Sequence, residues 1–75
     1  MVNSEELKEQ IEKEIPKSNA KVEDTKNDGM HFKAVVKSSA FKNKPLVEQH
    51  RMVYRALGNK FEEGLHSMSV ETKEE

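Results

Sequence analysis

Between residues 30 and 72 the spacing of apolar residues changes from every second position to every third or fourth, then back, and this restricts the fold most. Met30, Phe32, Ala34 and Val36 alternate with His31, Lys33, Val35 and Lys37, the period of a strand with one buried face. Leu46, Val47, His50, Val53, Tyr54, Leu57 and Phe61 then fall within a sector of about 120° when 100° is allowed per residue. Glu48, Arg51, Arg55 and Glu62 lie opposite, so the segment reads as an amphipathic helix with that apolar sector buried. His66, Met68, Val70 and Thr72 restore the strand period. A strand, a helix and another strand in this order imply a right-handed crossover, which sets the last strand parallel to the one before the helix.

The residues upstream add a helix and a hairpin. Asn3 and Ser4 are good N-caps ahead of Glu5 and Glu6, and Leu7, Ile11 and Ile15 recur at i, i+4, i+8. Pro16 ends that helix, because it supplies no donor and keeps its predecessor out of the helical region. Ala20–Lys26 is expected to form a strand anchored by Val22. It joins the strand at 30–37 through Asn27-Asp28-Gly29, a turn sequence that tolerates positive φ. Residues 38–44 form a polar connection with a helical turn around Phe41, and Pro45 suits the first position of the long helix. Gly58 weakens that helix and Gly64 stops it. The polar tail, 71–75, is expected to fray. The order helix, strand, strand, helix, strand defines an α+β fold, a three-stranded mixed sheet with helices on one face.

Seventy-five residues make one domain, 1–75, and 33% hydrophobic content makes its core small, so net stability is expected near ~3 to 5 kcal/mol. With no cysteine, the chain has neither a disulfide framework nor a thiolate metal site. Thirteen basic against fourteen acidic residues remove any bulk electrostatic drive towards nucleic acid or membrane. No apolar run reaches the ~20 residues of a bilayer span and no signal peptide is visible, so the cytoplasm is the expected location.

Four segments carry a family pattern: Gly29-Met30-His31-Phe32, Ser38-Ser39-Ala40-Phe41, His50-Arg51-Met52-Val53-Tyr54 and His66-Ser67-Met68-Ser69. In this order and at these spacings, over about residues 22 to 72, the chain resembles the BolA family. The resemblance implies a fold similar to the class II K-homology domain. It also implies a protein that is not an enzyme and forms heterodimers with monothiol glutaredoxins around a shared [2Fe-2S] cluster, in iron–sulfur trafficking or iron-responsive regulation. Some members act as transcriptional regulators.

Within that pattern His66 matches the histidine offered to the bridging cluster. Read alone, a histidine at a strand end is more often a packed, hydrogen-bonded residue. Imidazole can replace thiolate on such clusters, but a chain without cysteine binds none alone, so a partner must bring the thiolates. Many members carry a second ligand, Cys or His, in the hairpin loop where this chain has Asp28. A carboxylate is a harder donor, which makes His31, outside by parity, the nearest substitute. His50, Phe32, Val53, Tyr54 and Leu57 are read as structural, with His50 hydrogen-bonded inside the core.

The rival function is DNA binding through residues 38–57, a helix-turn-helix-like region, with Lys37, Lys42, Lys44, Arg51 and Arg55 lining a basic strip. The chain lacks the Gly-x-x-Gly loop of K-homology domains and has few aromatics to stack bases. An enzyme is not supported, because there is no cysteine nucleophile, no phosphate loop and too little chain to enclose a substrate.

Overall fold

The computed structural model describes residues 3–60 and 67–75. Phe61, Glu62, Gly64 and His66, all singled out above, lie outside the described residues. Helix α1 spans Ser4–Glu14 and is capped by Asn3, whose Oδ1 accepts the Glu6 N–H at 2.8 Å. Leu7 and Ile11 on this helix, and Ile15 just after it, are buried, which stabilises the fold by about 1.5–3 kcal/mol for each side chain. After Pro16 the chain reverses through Lys17 at φ 54 and enters β1, Ser18–Asp24.

β1 pairs antiparallel with β2, His31–Ser38, across the expected turn, where Asn27 and Gly29 both have positive φ. A 3₁₀ turn at Ser39–Phe41 buries Phe41 completely. Helix α2 follows, Leu46–Ala56, with Pro45 as its N-cap, and a second 3₁₀ turn occupies Gly58–Lys60. The last strand, β3, Ser67–Glu74, pairs parallel with β2, so the sheet is mixed with order β1-β2-β3, as the crossover argument requires. α1 packs chiefly on β1 and α2 on β3, and the core of Phe32, Ala34, Val36, Val53, Leu57 and Met68 fills the space between helices and sheet.

Two expectations are corrected. The tail does not fray at residue 71, because β2 offers an edge eight residues long and β3 uses all of it. Val35 faces Glu71, Ser38 faces Glu74, and the Glu75 N–H still donates to the Ser38 carbonyl. Thr72 is buried, its Oγ1 2.6 Å from Gln49 Oε1. The second correction concerns α2. Its buried side centres on Val53, Ala56 and Leu57, while Leu46, Val47 and Tyr54 are 60%, 59% and 41% exposed and His50 is half-buried. His50 and Tyr54 are therefore not core residues, and the His50 ring makes no hydrogen bond among the described residues.

Polar contacts that an apolar wheel ignores account for the helix rotation. The Gln49 side-chain amide donates to the Lys44 carbonyl at 2.9 Å while its oxygen meets Thr72, which turns Gln49 inward. The small Ala56 lets α1 approach closely enough for the Gln10 amide to donate to the Ala56 carbonyl at 3.1 Å.

Candidate functional site

The hairpin between β1 and β2 is held by two aspartates. Asp24 accepts the N–H groups of Asp28 at 3.3 Å and Gly29 at 2.9 Å, which closes the turn. Asp28 Oδ1 accepts the N–H groups of Met30 at 2.9 Å and His31 at 3.2 Å. Its other oxygen, Oδ2, lies 2.8 Å from His31 Nδ1. The Met30 N–H, more than the imidazole, holds the Asp28 carboxyl below the usual carboxylate range, against a partial desolvation that pushes it up.

This arrangement assigns the ring nitrogens of His31. An ionised carboxylate can only accept, so Nδ1 carries the proton that faces Asp28. In the neutral ring Nε2 then keeps its lone pair for a ligand, the usual arrangement of a metal-binding histidine steadied by an acid behind it. The His31 side chain is 35% exposed, so the ring lies within reach of an incoming molecule. Asp28 is thus the support of His31. The i, i+3 spacing of an Asx-type turn before a strand was the sequence signal for that pairing.

The sheet register brings the first residue of β3 to this end. His31 is the Cα partner of Ser67, the residue that follows His66 in the sequence. The Tyr54 hydroxyl donates to the Met68 carbonyl at 2.9 Å, so the C-terminal half of α2 reaches the same end, and Met30 is exposed beside it. Among the described residues there is no group of three His, Cys, Asp or Glu able to hold a metal ion. Any metal held at His31 must therefore take further ligands from elsewhere.

The basic residues do not form one strip. Lys37 stands between buried Val36 and buried Ser38, so it occupies the open face of the sheet, opposite the helices. Lys42 and Lys44 lie in the loop before α2, and Arg51 and Arg55 on its outer side, with Arg51 3.7 Å from Glu48. No described helix is long and apolar enough to cross a membrane.

An α+β protein of two helices over a three-stranded mixed sheet, with a supported histidine at one sheet end, is the class defined so far. A family model described as BolA-like protein matches residues 4–75. The chain belongs to that family. A solved BolA homologue from Coxiella burnetii superposes with a TM-score of 0.84 at 34% identity, covering 97% of this chain and 91% of its own. The uncharacterized protein RP812 of Rickettsia prowazekii (strain Madrid E) is 31% identical over 71 residues, which are 95% of this chain and 92% of that protein. The BolA domain of SufE1 from Arabidopsis thaliana is similar at 32% identity and a TM-score of 0.81, over 99% of this chain and 95% of the domain.

Proposed function

We propose that this BolA-like protein is a non-catalytic adaptor that binds a monothiol glutaredoxin and contributes His66, with His31 as the second donor, to a [2Fe-2S] cluster shared by the two proteins. The observation that carries this reading is the Asp28–His31 pair, which presents Nε2 from a half-exposed ring at the sheet end where residue 67 pairs. The residues fit such a group. Two imidazoles replace thiolates on an iron–sulfur cluster and raise its potential, and the remaining thiolates must come from the partner because this chain has no cysteine. The similarity to a BolA domain carried by a SufE-like protein supports an iron–sulfur context.

In this adaptor the chain's own residues bind and orient. Asp28 fixes the His31 ring and its tautomer, and the β2–β3 ladder fixes the spacing between the hairpin and the start of β3. The test is to mix the protein with a cluster-loaded monothiol glutaredoxin, then record visible absorption, circular dichroism and elution from a sizing column. A 1:1 complex with an altered cluster spectrum is expected. His66→Ala should change that spectrum far more than His50→Ala, with both variants folded by far-UV circular dichroism. An unchanged cluster spectrum with no complex, or equal effects of the two substitutions, refutes the proposal.

A further inference from the structure

The outer edge of β3 lies open beneath an overhanging helix. The Glu75 N–H donates to Ser38, which fixes the alternation, so the odd residues of β3 bond to β2 while Met68, Val70, Thr72 and Glu74 turn their N–H and C=O groups outward. The Tyr54 hydroxyl takes the outward carbonyl of Met68. Among the described residues no hydrogen bond uses the outward backbone groups of Val70 and Thr72. The opposite edge of the sheet is treated differently, since the outward Ala20 N–H on β1 is taken by Glu12 Oε2 at 2.9 Å.

α2 extends beyond this edge. It packs on β3, and its radius of about 5–6 Å exceeds the ~2.4 Å half-spacing of a strand. The side that projects outward, away from α1, is the ridge of Leu46, Val47, His50 and Tyr54. An exposed apolar ridge on the helix above an unfilled strand edge leaves room for one more strand, with its backbone on β3 and alternate side chains against the helix.

We propose that this groove binds an extended peptide segment of a partner protein as a fourth strand, antiparallel to β3, with apolar residues at alternate positions. A second copy of this chain does not fit. Antiparallel pairing of two β3 strands would set two α2 helices about 4.8 Å apart, against the 8–10 Å that packed helices require. The occupant therefore arrives without a helix layer of its own. Its charges are set by the open face of β3, where Glu71 and Lys73 form an exposed pair 3.6 Å apart that an added strand can extend into a cross-strand network. A basic residue opposite Glu71 and an acidic residue opposite Lys73 complement them. The proposal is independent of the cluster reading, which concerns the hairpin end.

The probe is the capped heptapeptide Val-Glu-Val-Lys-Val-Thr-Val, titrated into ¹⁵N-labelled protein. Pairing its Lys with Glu71 sets its valines under the ridge. At saturation, amide exchange at Val70 and Thr72 should slow by at least about tenfold, while Glu71 and Lys73, already bonded to β2, change little. Val47→Asp, at a 59% exposed site that leaves the core intact, should weaken binding by about tenfold. Exchanging Glu and Lys in the peptide should weaken it as well. Shifts confined to the open sheet face, unaltered exchange at Val70 and Thr72, or equal binding by Val47→Asp overturns the proposal. Saturable shifts along the ridge from a single-stranded oligonucleotide, with none from the peptide, overturn it in favour of nucleic acid.

Discussion

Ser38 offers the most direct test of how this small core is held. It is fully buried at the junction of β2 with the first 3₁₀ turn, where its hydroxyl donates to the Pro16 carbonyl at 2.7 Å and accepts the Ala40 N–H at 3.0 Å. One oxygen thus ties the end of α1 to the corner that places Phe41. Ser38→Ala removes both bonds and adds no bulk. Two hydrogen bonds at a net ~1 kcal/mol each, plus partial desolvation of the two orphaned groups, give a loss of about 2–3 kcal/mol. For a domain with ~3 to 5 kcal/mol in total that is about half or more, and it lowers the melting temperature by about 10–20 °C. Urea unfolding followed by far-UV circular dichroism reads the change directly. The control is Ser39→Ala, an exposed neighbour for which a change within about 0.5 kcal/mol is expected. A Ser38→Ala loss no greater than the control's would refute the argument that this hydroxyl secures the corner.

Other predictions concern pH and backbone freedom. The Glu12 carboxyl is held below its ordinary value of 4.5 by the Ala20 N–H first and by Lys8 second. A group with a lowered native value contributes stability above its unfolded value and loses it as pH falls through the native one, so acid should destabilise the native protein more than Glu12→Gln, measured by urea midpoints between pH 7 and pH 3. Asp28 acts with the same sign. Gly58 does not have positive φ and a Cβ there would meet nothing within 4 Å, so Gly58→Ala should raise stability by about 0.4–1 kcal/mol, seen as a higher urea midpoint.

Much of this architecture was legible because backbone signals were strong. The change of period at residues 30–72 and the Asn27-Asp28-Gly29 turn specified the hairpin, the crossover and the parallel pairing, all of which the structure has. The orientation of α2 was not legible from apolar residues, because Gln49 faces inward to satisfy loop carbonyls and Thr72 while Leu46 and Val47 remain outside. A hydrophobic wheel weights these two as core and Gln49 as surface. The tail was misjudged for a related reason, since a polar strand end is stabilised by ladder bonds to β2 that composition does not reveal. At the site, the exposure expected for His31 was right in direction, whereas the role of Asp28 depended on a side-chain contact visible only in three dimensions.

The β2–β3 ladder also governs how the entropy cost of closing the fold is distributed. Every pair in it joins residues 36 positions apart, whereas Asp24 and Phe32 in the hairpin are eight apart. Closing the longer span costs about 1.3 kcal/mol more chain entropy before any contact compensates. The hairpin is therefore the cheaper element to close, and the pairing of the third strand carries the larger share of the entropy that the fold must offset.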